Sequence, residues 1–328
     1  MRYTFRMTRT VVGVLRGGTS SEYGLSLKTG SAFLDALPED RYDVRDIYMD
    51  KSGTWHHRGM PMTPARAVRQ IDVVVNALHG GVGEDGTVAR VLKQSGVPFT
   101  GADAHGHMNA YNKIHSRRLL KDVGILMPHA VAFSVHTPMV SGDMAQAVFA
   151  RFGPPYIVKP ANEGASSGLR IAWTIIELPD ILADVLDAYG AALVEEYVVG
   201  TEATVGVIED FRGEELYALP PARIELPEGA PHIMHQHHHD ASLQYFVPSD
   251  FSQSEKASLT EAARRAHTIL GLDHFSRADF ILTKRGPYLL EVNALPGFYA
   301  GAAMPHLLSS VGATVGQFAE HALQLARR

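Results

Sequence analysis

Ser276 to Asn293 reads Ser-Arg-Ala-Asp-Phe-Ile-Leu-Thr-Lys-Arg-Gly-Pro-Tyr-Leu-Leu-Glu-Val-Asn, and its polar residues recur at the two-residue period of a β-strand. Arg277, Asp279 and Ile281 fall on one face of a first strand, and Leu289, Glu291 and Asn293 on one face of a second. A three-residue loop, Lys284-Arg285-Gly286, with Gly286 left-handed, closes the hairpin on Thr283 opposite Pro287. Counting outward sets Asp279 opposite Glu291 and Arg277 opposite Asn293. Carboxylates facing each other across a ladder repel. With a carboxamide beside them they make a set of hard oxygen ligands, such as magnesium takes when it also holds phosphates. The pattern predicts a site for magnesium and a nucleotide, with Arg277 beside it to meet developing negative charge.

Three other segments have chemistry of their own. In Lys159-Pro-Ala-Asn-Glu-Gly-Ala-Ser-Ser-Gly168 a lysine leaves a strand and enters a loop of small residues, which can close over phosphates with backbone N–H groups. The Gly-Lys-Ser/Thr order of a Walker loop is absent. Alone the segment reads as a surface loop; beside Asp279 and Glu291 it reads as a phosphate cover. Leu193-Val-Glu-Glu-Tyr-Val-Val-Gly-Thr-Glu202 places acidic residues at the end of an apolar strand, either as a solvated strand end or as acceptors for an adenine amino group and ribose hydroxyls. His79-Gly-Gly-Val-Gly-Glu-Asp-Gly-Thr87 and Arg16-Gly-Gly-Thr-Ser-Ser-Glu22 each follow an apolar strand, where open parallel sheets bind ligands and where a helix N-terminus favours an anion.

The elements that must carry these residues follow from periodicity. Strands are expected at Thr10–Leu15, Tyr42–Tyr48 and Ile71–Leu78, with helices from Ser20–Glu22 to Leu37 and over Gly86–Ser95, a pattern of parallel βαβ units. A basic helix (Asn112–Asp122), a strand at His129–Phe133, a helix capped by Ser141, the strand Tyr156–Lys159 and a helix near Leu178–Tyr189 come next. Strands at Leu193–Tyr197 and Thr201–Ile208, a long helix Ser254–Leu270, the hairpin and a terminal helix Val311–Arg327 complete the chain. A length of 328 residues predicts two or three subdomains, and 45% apolar with 20% charged residues is ordinary for a globular protein. The net charge of −5 argues against a nucleic-acid partner. The absence of cysteine excludes disulfides, thiolate zinc sites and a cysteine nucleophile. Val11–Leu15 is too short for a signal-peptide core and no apolar run approaches the roughly 20 residues of a membrane span, so a cytoplasmic protein is expected.

In order and spacing the chain resembles the D-alanine–D-alanine ligase family of the ATP-grasp superfamily. The resemblance rests on Gly17-Gly-Thr-Ser-Ser-Glu22, His79 to Thr87, Val97-Pro-Phe-Thr-Gly101, Asn112-Lys113, Lys159 to Gly164, Val194-Glu-Glu-Tyr197, Arg277-Ala-Asp279 and Glu291-Val-Asn-Ala-Leu-Pro-Gly297, and it runs to the Pro305 region. It implies an α/β chain with the ATP-grasp fold: an N-terminal open parallel-sheet domain (1–102) for the first amino acid and dimerisation, a central lid (103–190) and a C-terminal mixed-sheet catalytic domain (191–328). The implied reaction makes a peptidoglycan precursor. ATP phosphorylates the carboxylate of one D-alanine, and the amine of a second attacks the acyl phosphate. Lys113 and Lys159 would bind phosphates, with Glu163 and Gly164 in the loop over them. Glu195, Glu196 and Val198 would line the adenine pocket, and Glu202 would hold the ribose. Asp279, Glu291 and Asn293 would carry two magnesium ions, with manganese as a substitute. Arg277 and the Gly297 amide would stabilise the tetrahedral oxyanion. Glu22 would hold the first ammonium with His79 close by. A homodimer with no membrane association is implied.

Three positions depart from the family. Ala165 stands where the family usually has serine, with Ser166 adjacent. Counting back from Gln244-Tyr-Phe-Val-Pro248 puts His237 and His238 where the family has a lysine and a tyrosine, with His237 able to meet a γ-phosphate when charged. Ala302 stands where a serine receives the second carboxylate. His232, His235, His237, His238 and His239 read as a polar loop over the active site or as a transition-metal site, the first being favoured. The departures raise two alternatives: a related ligase with another D-amino acid, hydroxy acid or amine as acceptor, and a non-catalytic ATP-binding protein.

Overall fold

The computed structural model describes residues 9–229 and 242–328; His237, His238 and the rest of the histidine-rich segment lie outside the described residues. The first unit contains β1 (Thr10–Gly17), α1 (Tyr23–Ala36), β2 (Tyr42–Met49), β3 (Trp55–His57), β4 (Met60–Met62), α2 (Pro64–Ala67), β5 (Val73–Asn76) and α3 (Thr87–Gln94). Its sheet has the order β4-β3-β2-β1-β5. β1 pairs in parallel with β2 and β5, as the βαβ pattern predicts. The β3–β4 hairpin adds an antiparallel edge that the sequence reading did not include. β1 is central, so both of its faces are buried and its sequence is a nearly continuous apolar run. Val12 and Val14 enter one core with Val73, Val75 and Phe33, while Leu15 enters another with Ile47, Val74 and Leu92.

The next elements are α4 (Ala104–Tyr111), α5 (Lys113–Leu120), β6 (Ala130–Ser134), α6 (Ser141–Phe149), β7 (Tyr156–Pro160), β8 (Arg170–Ala172), α7 (Leu178–Tyr189) and β9 (Ala191–Glu196). The antiparallel sheet β6-β9-β7-β8 continues into β9, past residue 190. It has its own core, including Phe133, Val148, Tyr156, Leu182 and Val194. Ser141 is the first residue of α6 and not its cap: Val140 holds the cap position, with no side-chain hydrogen bond.

β10 (Thr201–Phe211), β11 (Glu214–Ala218), β12 (Ala222–Glu225), β13 (Gln244–Phe246), α8 (Gln253–Ile269), β14 (Phe275–Thr283), β15 (Gly286–Asn293), α9 (Ala303–Ser310) and α10 (Val315–Ala326) form the last unit. Its sheet runs β13-β12-β10-β14-β15, with β11 on β10. The expected terminal helix Val311–Arg327 begins later, at Val315, and a separate helix, α9, precedes it. Val311 closes α9, the chain turns at Gly312 (φ 69°), and Thr314 starts α10 through a reciprocal capping box with Gln317.

The β14–β15 hairpin keeps the expected pairs Asp279–Glu291 and Arg277–Asn293, but by a different route. Thr283 pairs with Gly286, so the turn is one residue shorter than expected. The Thr283 hydroxyl supports it, donating to the Gly286 carbonyl and accepting from the Arg285 amide. Phe280 pairs with Leu289, and Leu290 is then the extra residue of a β-bulge that restores the outer register. The bulge also breaks the alternation. Leu289 faces the core with Phe280, instead of sharing a face with Glu291, and Leu290 turns toward the cavities described below.

One core joins the first and last units. Phe298 lies among Phe33, Phe275 and Phe318, with ring centroids 4.4 to 5.9 Å away. It directly follows Gly297 and so anchors that loop. Phe298→Ala should lower stability by about 3–5 kcal/mol in urea denaturation, the range for losing a buried aromatic ring. A loss under about 1 kcal/mol would contradict this anchoring role.

Candidate active site

The register Thr204–Asp279 brings a threonine hydroxyl under the hairpin's first carboxylate. Thr204 donates to Asp279 Oδ1 at 2.7 Å, Arg277 reaches both carboxylate oxygens at 3.0 and 2.7 Å, and Asn293 Nδ2 donates to Oδ2 at 3.0 Å. Burial acts to lower the Arg277 pKa, but Asp279 outweighs it and the net shift is upward, so the guanidinium stays charged. Opposite, Glu291 Oε2 lies 3.3 Å from Lys113 Nζ. Burial alone would raise Glu291; Lys113, Lys159 and Arg277 outweigh it and hold its pKa at about 2.

Lys113 begins α5, where Asn112 caps the helix by accepting from the His115 amide at 2.9 Å. The Lys113 ammonium donates to the Glu163 carbonyl, which ties the small-residue loop to α5. That loop is strained: Ala165 (φ 46°) and Ser166 (φ 56°) are consecutive non-glycine residues in the left-handed region. Lys159 projects from β7 to within 2.7 Å of Glu195 Oε2. The other oxygen of Glu195 lies 2.9 Å from Arg117 Nη1, and Arg117 also donates to the Pro128 carbonyl. The Glu195 carboxylate is therefore engaged on both oxygens by cations, within the wall that the sequence reading gave to adenine. Glu196 accepts from the His129 amide at 2.9 Å.

Three neighbouring cavities share these residues. One of about 150 Å³ is lined by Ile157, Glu196, Val198, Leu226, Ile281 and Leu290, among others. It shares Lys159, Glu202 and Leu290 with a second, of about 110 Å³, which also meets Lys113, Glu163, Ser166, Asp279 and Glu291. A third, of about 40 Å³, shares Glu291 with the second and is bounded by Glu22, His79, Arg277, Asn293, Gly297 and Tyr299.

Glu22 stands at the start of α1 without capping it. Its carboxylate is enclosed by glycines: a Cβ on Gly164 would lie 2.4 Å from Oε1, and one on Gly80 2.8 Å from it. Burial, then the Glu84 and Glu291 charges, push the Glu22 pKa up to about 8. Glu84 lines the same cavity and is pushed up to about 7 by burial, against the Gly80 amide it accepts from at 3.0 Å. His79 is a clasp between units: Nδ1 donates to the Leu295 carbonyl at 2.9 Å, which leaves Nε2 to accept from the Thr29 hydroxyl at 2.7 Å. Burial lowers its pKa to about 4, which keeps the ring neutral.

Apart from His237 and His238, every expected site residue lies at these cavities or in the ion pairs beside them. Sequence reasoning missed Arg117, Glu84, Thr204 and Tyr299. Arg117 had a signal, since it lies four residues after Lys113 on one helix. Glu84 was inside a quoted motif without a role. The donor set of Asp279, Glu291 and Asn293 fits magnesium beside a nucleotide. Among the described residues no cluster of three or more His, Cys, Asp or Glu is placed to hold a metal. A cation here would complete its shell with phosphate and water oxygens, the usual habit of magnesium. Among the described residues no helix is long and apolar enough to cross a membrane.

The family model "D-ala D-ala ligase C-terminus" matches residues 119–324, and "D-ala D-ala ligase N-terminus" matches 58–102. The chain is 30% identical over 316 residues to the D-alanine–D-alanine ligase of Methylacidiphilum infernorum, covering 96% of this chain and 95% of that protein. It is 33% identical over 296 residues to that of Aquifex aeolicus, covering 90% and 93%. The crystal structure of the Bacillus anthracis D-alanine–D-alanine ligase complexed with ATP superposes with a TM-score of 0.80 at 22% identity, over 97% of each chain.

Glu22 yields a pH prediction. Its pKa is about 8 in the folded chain and 4.5 ordinarily, so the folded state holds more protons between those values and its stability falls as pH rises through them. Glu22→Gln removes this loss. Without ligands, the melting temperature of the variant minus that of wild type should therefore grow from pH 5 to pH 8. A flat difference would show that Glu22 is solvated.

Proposed function

The chain belongs to the D-alanine–D-alanine ligase family, with its ATP-grasp fold, and we propose that it joins two D-alanines with conversion of ATP to ADP and phosphate, making a peptidoglycan precursor. The observation that carries this reading is the continuity of the three cavities through one hairpin face: Glu291 borders both the lysine-lined cavity and the one that holds Glu22, Arg277 and Gly297. A different acceptor is not favoured, because the relatives at 30% and 33% identity are D-alanine–D-alanine ligases. A pure nucleotide binder has no use for the buried Arg277 beside a second cavity.

ATP would lie with its base beside Glu196 and Val198, its ribose at Glu202, and its phosphates between Lys113, Lys159 and the loop with Glu163, Gly164 and Ser166. Glu195 would act one step back, by fixing Lys159, with Arg117 offsetting its remaining charge. Asp279, Glu291 and Asn293 would hold two magnesium ions, with manganese able to substitute, and the metal when bound neutralises charge on the phosphate oxygens. Glu22 with Glu84 would receive the first ammonium, since an incoming cation offsets the burial, and the lesser like-charge repulsion, that raise both pKa values. The carboxylate oxygen of that D-alanine attacks the γ-phosphorus and the bond to ADP breaks. The second amine then attacks the acyl carbon, phosphate leaves with the bridging oxygen, and the amine gives up a proton. Arg277 and the Gly297 amide would meet the negative oxygen between those events. His79, with both ring nitrogens engaged, would hold the Leu295–Gly297 loop in place. By the same family reading the protein acts in the cytoplasm as a homodimer through residues 1–102, which light scattering checks.

The direct assay combines protein, ATP, magnesium and D-alanine and measures dipeptide and phosphate. No dipeptide at saturating D-alanine would sink the proposal. Arg277→Ala should lower ligation by about 10²–10³-fold, the loss typical of removing one oxyanion donor, while ATP still binds. Glu195→Gln should raise the KM for ATP about tenfold, since a charge-assisted hydrogen bond contributes about 1.5–3 kcal/mol. An unchanged KM would remove Glu195 from the positioning of Lys159.

A further inference from the structure

The smallest of the three cavities has a wall that the proposed chemistry does not use. Tyr299 is buried and packs in a cluster with Leu25 and Ala302, against which Ala165 also lies. Its ring rests on the backbone of Gly297: a Cβ built there would fall 2.7 Å from Tyr299 Cε1 and 3.4 Å from the Ala302 methyl. Lys28 Nζ lies 5.7 Å from the ring centroid on the outer side. Leu25, Ala165 and Tyr299 line the cavity together with Glu84, Arg277 and Asn293. Its lining therefore combines charged groups with apolar surface.

We infer that Tyr299 is a specificity-determining residue, whose ring, packed on Ala302, forms with Leu25 and Ala165 an apolar wall that admits an amino acid with a methyl-sized side chain and excludes longer ones. The inference rests on the ligase reading and deepens it, because it gives the physical reason for choosing alanine. The lining carries the argument, in the smallest of the three cavities at about 40 Å³. An ammonium at Glu22 and a carboxyl group near Arg277 would take the charged lining, which leaves the side chain against Tyr299, Leu25 and Ala165. A pocket that rejects one added methylene discriminates by about 10–200-fold.

The test measures kcat/KM for ligation with D-alanine and with D-2-aminobutyrate, which is one methylene longer, in wild type, Tyr299→Ala, Tyr299→Phe and Leu25→Ala. Mass spectrometry of the products tells which position of the dipeptide accepts the longer residue. Wild type should prefer D-alanine by at least about tenfold. Tyr299→Ala should cut that preference about tenfold, and Tyr299→Phe should keep it, because the ring and not the hydroxyl sets it. Leu25→Ala opens the same wall from the other side and should also cut the preference, which keeps the test decisive if Tyr299→Ala fails to fold. Preferences within twofold of wild type in the soluble wall variants, or a Tyr299→Phe variant as permissive as Tyr299→Ala, would overturn the inference and leave the ligase reading intact. Wild type without D-alanine-dependent phosphate release would instead overturn that reading, and the inference with it.

Discussion

Negative charge buried beside negative charge is the constraint on which the rest of the site depends. Asp279 and Glu291 oppose each other on one ladder, and Glu195, Glu22 and Glu84 lie in the surrounding walls. Carboxylates so placed must be paired, protonated or matched to an incoming cation. The chain uses all three solutions. Asp279 is paired with Arg277, Glu291 with Lys113, and Glu195 with both Lys159 and Arg117. Burial raises the pKa values of Glu22 and Glu84, so each holds its proton more tightly than an ordinary carboxyl group and an incoming cation would favour its release. The asymmetry divides the site: lysines collect where a polyanion would lie, and unpaired carboxyl groups where an ammonium would.

The fold holds these groups at fixed separations by sharing one core between its first and last units. Val12, Val14 and Phe33 pack with Phe275, Phe298 and Phe318, and His79 bonds across to Leu295. Glu22 on α1 and Gly297 after β15 therefore face each other across a boundary that is packed as an interior. The sheet bearing Lys159 and Glu195 has a separate core and reaches the others through α5 and the ion pairs of Lys113 and Arg117. The loop from Glu163 to Gly168 spans this less continuous junction: its Gly164 packs against Glu22, and the next two residues, Ala165 and Ser166, are left-handed.

Much of this was legible in the sequence where a short-range pattern sufficed. The parallel pairing around β1 followed from the alternation of strand and helix signals, and the pairs Asp279–Glu291 and Arg277–Asn293 were expected correctly. That second success came from two compensating errors. The turn is shorter by a residue, and the Leu290 bulge returns the register; neither Gly286 nor the alternation of Leu289 and Glu291 signals a bulge. Partners distant in sequence were not legible. Glu195 lines the cavity read as the adenine pocket, but nothing local shows that Arg117 and Lys159 converge on its carboxylate. Tyr299 was passed over for the same reason: its contacts with Leu25 and Ala165 exist only once three segments are folded together.

The central claim is that one hairpin face joins a phosphoryl-transfer cavity to an acyl-transfer cavity, so that the substrate carboxylate itself attacks phosphorus. The most direct measurement uses D-alanine labelled with oxygen-18 in its carboxylate and follows the released phosphate by phosphorus NMR. An acyl phosphate that breaks at its C–O bond must carry one labelled oxygen into each phosphate, so the account predicts the isotope-shifted phosphate signal in step with dipeptide formation. Dipeptide accompanied by unlabelled phosphate would contradict it.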